Sequence, residues 1–303
     1  MDAVTRGELI ATGLTGDRIA HEVHVGRLIR VRRGHYARPD DEADMIRAVR
    51  VGGRLACVSE LRSRGIWVLD DGRLHVQVEP SRSRLRTPDD RFQRMADGGD
   101  RVDCKVHWTL LHRPESATAS HVGLVDALIM SSRCLEPPAF LASLDSAVET
   151  RQLSRRDLGT VLASIPMTVG RQLSPVDGRA ESGIETVVRD LALALGFDLR
   201  IQVDYAGIGR ADLVIEGWIV VETDGHEHHH RESDVASDRR RDLLHAQAGR
   251  ATLRFRYGQV IYSRRAIALA LIAAVRTHRR VPGARAKADR ALRRLERLAL
   301  ADS

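Results

Sequence analysis

Three cysteines in 303 residues, Cys57, Cys104 and Cys134, stand far apart in the sequence. That scarcity excludes a disulfide framework, and no CxxC pair signals zinc. Long apolar runs are missing too. The longest, Ala266 to Val275, is far too short to span a bilayer. The first residues carry Asp2, Arg6 and Glu8 and no apolar stretch, so no secretory leader is expected. A cytoplasmic protein away from membranes is therefore expected. Internal repeats and low-complexity linkers are absent. Lysine is nearly absent: 46 of the 48 basic side chains are Arg, the exceptions being Lys105 and Lys287. The basic surface is thus made of planar, always-charged guanidinium groups suited to phosphate. At 43% hydrophobic and 29% charged the chain is not disordered as a whole, and its length allows two or three domains with a sizeable core. A net charge of +7 points to nucleic acid as the partner class.

The positive charge sits at the two ends. Residues 1–38 hold seven Arg against four acids, and residues 276–303 nine basic groups against three acids. Residues 181–275 hold twelve against fourteen. At the N-terminus, Thr5-Arg-Gly-Glu8 is a capping box that opens a short helix, which Gly13 can end. Thr15 caps a second helix with Ile19 and Val23 four residues apart, closed by Gly26. Leu28–Val31 and His35–Ala37 read as strands around Arg32-Arg33-Gly34. Residues 1–40 therefore have a winged helix-turn-helix layout, with the second helix suited to the major groove and the hairpin to backbone or minor groove. Arg18, Arg27, Arg30, Arg32, Arg33 and Arg38 would contact phosphates. A wing that contacts protein instead is the alternative. This stretch resembles the N-terminal domain of abortive-infection (AbiEi) type antitoxins. The resemblance implies DNA binding and a cognate toxin or other protein as a further partner.

Residues 41–178 read as an αβ linking region without a catalytic constellation. Leu74–Val78 is an alternating strand; Arg82, Arg84, Arg86, Arg91 and Arg94 line a basic loop; Ser154 caps a helix reaching about Ile165. Pro166 to Arg179, with two Pro and two Gly, marks a boundary.

From residue 179 to 280 the pattern sharpens into the order αβββαβα. A helix over Ile184–Leu195 stops at Gly196, strands follow at Leu199–Tyr205, Ala211–Glu216 and Ile219–Thr223, and a helix from about Asp234 to Ala248 leads to a strand at Thr252–Tyr257. A hairpin loop centred on Gly217 sets Asp212 directly across from Glu222, and Asp224 shares the face of Glu222. Three carboxylates gathered at one end of an apolar sheet repel one another and resist burial. A divalent cation resolves the conflict, and hard oxygen ligands suit Mg²⁺ or Mn²⁺. His226, His228 and His230 read as a solvated loop rather than zinc ligands, with no Cys nearby in sequence. Residues 281–303 form a basic helix carrying Leu292, Leu295, Leu298 and Leu300, either packed or touching DNA backbone.

The segment from 181 to 275 resembles the very-short-patch-repair endonuclease-like branch of the PD-(D/E)xK superfamily, a restriction-endonuclease-like fold. The motifs that carry the likeness are Ser182-x-x-Glu185, Gly209-Arg-Ala-Asp212, Val221-Glu-Thr-Asp-Gly225, His229, Asp238-Arg-Arg-Arg-Asp242 and Leu253-Arg-Phe255. The resemblance implies Asp212 as principal metal ligand, with Glu222 and Asp224 completing the site. It implies Glu185 reaching the metal or its water, His229 near the scissile phosphate, and Arg239 and Arg240 steadying that phosphate. The superfamily's Lys is missing: two residues after Glu222 stands Asp224. The expectation is a DNA-binding protein with a metal-dependent endonuclease domain. The competing expectations are a non-catalytic regulator or antitoxin on a degenerate nuclease fold, and an RNA-directed nuclease.

Overall fold

A computed structural model describes residues 3–96, 103–224, 232–277 and 283–298, with the backbone alone for 232–238. The chain is an α/β protein in two units, 1–136 with 153–170 and 137–152 with 171–303. Sequence boundaries at 40, 178 and 280 suggest four parts instead. The winged region is not separate because its core continues into residues 45–76: Ala3, Val31 and Ala37 are buried in one cluster with Met45, Val49, Leu55 and Val76.

The first unit opens with β1 (Val4–Thr5), α1 (Arg6–Ala11), α2 (Gly16–His24), β2 (Ile29–Arg32) and β3 (His35–Ala37). Thr5 caps α1 in a reciprocal box with Glu8, and the Thr15 side chain accepts the Arg18 N–H at the start of α2. β3 lies between β1 and β2, antiparallel to both, and a bulge between Arg30 and Arg32 turns the wing. Leu9, Ile19 and Tyr36 close a small core beneath it. Then come α3 (Ala43–Val51), β4 (Arg54–Leu55), α4 (Cys57–Ser63), β5 (Leu74–Val78), β6 (Cys104–Trp108) and α5 (Leu124–Ser131). β5 pairs antiparallel with β4 and parallel with β6. As the middle strand it is buried at all five positions, so His75 and Gln77 face inward where alternation alone would leave them wet.

α6 (Pro137–Glu149) belongs to the second unit, while α7 (Arg155–Ser164) and α8 (Met167–Gly170) return to the first. α6 packs on α9 (Gly183–Leu195), where Arg189 bonds Asp145 at 2.9 Å and Thr186 donates to Asp145 at 2.7 Å, all three side chains buried. Beyond α9 lie β7 (Leu199–Tyr205), β8 (Gly209–Ile215), β9 (Ile219–Asp224), α10 (Glu232–Gln247), β10 (Ala251–Arg256), α11 (Tyr257–Tyr262) and α12 (Arg264–Thr277). The order is αβββαβα with one extra short helix. The sheet runs β10-β9-β8-β7, antiparallel except for β9 and β10, which are parallel and so need the α10 crossover. Leu213, Val214, Ile215, Ile219, Val220 and Val221 are all buried, so the sheet is covered on both faces. The last helix, α13 (Ala284–Arg297), packs on α12 and α9 through Ala284, Ala288, Ala291 and Leu295. No helix among the described residues is long and apolar enough to cross a membrane.

Candidate nucleic-acid interface and acidic site

The wing and the loop after β5 build one basic cleft within the first unit. Its volume is about 490 Å³, and Arg30, Arg32, Arg33, Arg84, Arg86 and Arg91 line it together with Phe92. None of these six guanidinium groups makes an ion pair among the described residues. Burial, then the charges of Arg82 and Arg86, hold Arg32 below the ordinary guanidinium range. Its guanidinium fits over Gly52, where an added Cβ would meet Arg32 Nη1 at 2.0 Å, and Gly52 sits at φ +119°. Arg86 Nη1 is buried without a hydrogen-bond partner among the described residues. Arg91 donates to the Arg30 carbonyl and its guanidinium stacks 4.8 Å from the ring of Phe92, which is 77% exposed. Cations crowded beside an exposed aromatic ring, with no carboxylate among the residues lining the cleft, make a surface for an anion, and phosphate is the anion guanidinium fits best.

Two arginines expected to touch phosphate are otherwise engaged. Arg18 and Arg27 both bond Glu22, at 2.8 Å and through a two-point contact at 2.5 and 3.1 Å. One carboxylate thus answers two cations on and beside α2, and the charge open to a ligand in this region lies in the wing. From the sequence alone Arg84, Arg86 and Arg91 belong to a loop of no assigned role; only the long-range docking of that loop on β2 joins them to the wing.

The second site forms at one end of β8 and β9. The pairs Leu213–Val221, Val214–Val220 and Ile215–Ile219, continued by one residue, set Asp212 opposite Glu222. On the other side β7 keeps its register but loses one pair. Gln202 stands at φ +51° and drops out of the ladder where it would face Asp212, between the pairs Ile201–Leu213 and Val203–Ala211. The Asp212 side chain accepts the Thr223 backbone N–H at 2.8 Å, in place of an ordinary ladder bond. Burial lifts the Asp212 carboxyl above the usual range, against the bonds from Thr223. Glu185, buried near the start of α9, accepts the Glu181 N–H at 3.1 Å and the Gln202 side-chain amide at 2.8 Å. Its pKa is raised by burial and then by the charge of Asp212, so the two carboxyls feel each other. Ser182 caps this helix, its hydroxyl accepting the Glu185 N–H at 3.3 Å.

Glu222 is buried and bonded by Arg241 at 3.0 Å. Arg241 also donates to the Arg210 carbonyl at 2.5 Å, bridging α10 to β8. Asp224 ends β9, half-buried, opposite Arg256 of β10. Arg239 and Arg240 are exposed on α10, and the neighbouring Arg241 is the member of that run that enters the site. His229 and the side chain of Asp238 lie outside the described residues. The carboxylates gather without closing on one another: among the described residues, the group of three or more potential ligands within 4.8 Å of each other is a Cys/His set in the first unit, not this one. The donor set nonetheless suits a hard cation. It is all oxygen, and two of its carboxyls, buried Glu185 and half-buried Asp212, have raised pKa, a state that bound positive charge would relieve. No family model and no curated protein matches the chain.

Proposed function

We propose that this protein binds DNA through the arginine-lined wing, and that its second unit hydrolyses DNA phosphodiester bonds with a divalent cation. The observation that carries the reading is the cleft of six guanidinium groups around Phe92, none of them ion-paired among the described residues. Such a surface attracts a polyanion and can stack an unpaired base or a sugar edge. Hydrolysis rests on Asp212, Glu222 and Glu185, with Asp224 at the strand end. These residues would hold Mg²⁺ or Mn²⁺, which when bound activates water and offsets charge on the phosphate. The chain's own contribution is to bury and orient the carboxylates: Thr223 fixes Asp212, Gln202 fixes Glu185, and Arg241 fixes Glu222.

A specific observation favours a second reading. Arg241 already neutralises Glu222, and the Lys of the superfamily is replaced by Asp224, as in a nuclease fold retained for binding alone. That reading makes the protein a transcriptional regulator or antitoxin. Gel shift and plasmid nicking separate the two. Nicking in Mg²⁺ or Mn²⁺ that Asp212→Ala abolishes, with duplex binding intact, supports the nuclease. Sequence-specific binding without nicking supports the regulator, and preferential competition by RNA would overturn the DNA assignment.

A further inference from the structure

Four side chains that belong to neither site meet inside the first unit. Cys57 is the first residue of α4, His75 lies on β5, His107 on β6, and Cys134 stands beyond the end of α5. Their thiol sulfurs and one imidazole nitrogen from each His all fall within 4.8 Å of one another. Cys57 and His75 are buried, and His107 and Cys134 half-buried.

The hydrogen bonds settle which lone pair of His75 points inward. His75 Nε2 lies 3.1 Å from both oxygens of Asp71. A carboxylate accepts, so the proton is on Nε2 and the Nδ1 lone pair faces the cluster. His75 Nδ1 stands 3.1 Å from His107 Nε2. This is the carboxylate–histidine arrangement that fixes the tautomer of a metal-bound imidazole. The backbone conforms as well. Cys57 carries a side chain at φ +52°, a conformation that non-glycine residues adopt at a cost and that here turns its sulfur toward the other three.

We propose that Cys57, His75, His107 and Cys134 form a structural zinc site, oriented by Asp71 and independent of the acidic site. Two thiolates and two neutral imidazoles are a borderline-soft S₂N₂ set, the donor chemistry of tetrahedral Zn²⁺. Zn–S bonds of about 2.3 Å and Zn–N bonds of about 2.0–2.1 Å separate tetrahedral ligands by about 3.3–3.8 Å. The cluster already lies in that range or a short adjustment from it. Two negative thiolates cancel the ion's charge, so the centre can sit beside a buried strand. With four protein ligands the site is closed, and its role is to tie α4, β5, β6 and the end of α5 together. A disulfide between Cys57 and Cys134 is the rival use of the thiols. It leaves unexplained why two imidazole nitrogens are aimed at them and why Asp71 orients one of those rings.

The test uses the full chain purified without chelator. Elemental analysis should find about one zinc per chain. The protein stripped and refilled with Co²⁺ should show the visible bands of tetrahedral cobalt and thiolate-to-cobalt charge transfer. Cys134→Ser should weaken the charge-transfer band, and Asp212→Ala should leave zinc content and spectrum unchanged. Zinc below about one tenth equivalent together with an octahedral Co²⁺ spectrum would overturn the site, as would a Cys57–Cys134 disulfide in the purified protein by non-reducing mass spectrometry. Because the Co²⁺ spectrum is read on the wild-type chain, the result does not depend on any variant folding.

Discussion

Neutralising three exposed arginines of the cleft should change the salt dependence of DNA binding by a calculable amount. Arg30, Arg33 and Arg84 are exposed and make no ion pair among the described residues. Each phosphate contact adds about −0.9 to the slope of log K against log salt. Six guanidinium groups in the cleft then give a slope of about −5.4, and three give about −2.7. Between roughly 50 and 200 mM salt the wild-type protein should lose about a thousandfold in affinity, and the triple variant Arg30→Gln, Arg33→Gln, Arg84→Gln about fortyfold. Fluorescence anisotropy on a labelled duplex at four or five salt concentrations reads both slopes. Arg27→Gln is the control. Its guanidinium is already held by Glu22, which keeps Arg18 as partner, so its slope should change by less than about one unit. Equal slopes for wild type and triple variant, or an Arg27→Gln effect as large as the triple, would refute the assignment of the cleft as the phosphate-binding surface.

Two further perturbations probe the second unit. Arg241→Met leaves Glu222 buried without its cation and should cost about 1–3 kcal/mol, read as a lowered urea midpoint. Millimolar Mg²⁺ should restore part of that loss, and an identical Mg²⁺ response in wild type would count against a cation at Glu222. Asp145 supplies a pH test: burial lifts its pKa from 3.8 to about 6 despite Arg189 and Thr186. A group that holds its proton more tightly when folded stabilises the fold fully below its unfolded pKa, and that contribution is lost as pH rises through about 6. The two pKa values differ by about 2, or about 3 kcal/mol. Relative to Asp145→Asn, which cannot titrate, the wild-type protein should therefore lose about 3 kcal/mol of stability between about pH 4 and pH 7 in urea unfolding. A pH-independent difference would show that burial does not control this carboxyl.

Much of the local structure was legible because short-range chemistry specifies it. Thr5 with Glu8, Thr15, Ser154 and Ser182 mark helix starts through side-chain caps, and Gly196 marks a stop by adopting a left-handed turn at φ +82°. Gly217 centres the β8–β9 turn, so the opposition of Asp212 and Glu222 follows from counting along two strands. What escaped depends on contacts distant in sequence. The phase of α10 against the sheet selects Arg241 over Arg239 and Arg240, and nothing in a run of three arginines reveals which one faces inward. The left-handed turn of the backbone at Gln202 carries no glycine to announce it. His75 looks exposed by alternation, yet β5 is flanked by two strands and buried on both faces. The Cys/His cluster draws its members from four elements between residues 57 and 134, so no local spacing betrays it. The unit boundary shifts for the same reason, since the wing shares its core with α3 and β5.

The proposed hydrolysis requires Asp212 and Glu222 to hold a divalent cation. Isothermal titration of Mg²⁺ and of Mn²⁺ into the wild-type chain, Asp212→Ala and Glu222→Ala tests it directly. The wild type should bind with a saturable heat that both variants lose while keeping their fold by circular dichroism. A wild-type chain that gives no saturable heat, or variants that titrate as it does, would rule out a cation held by these two carboxylates.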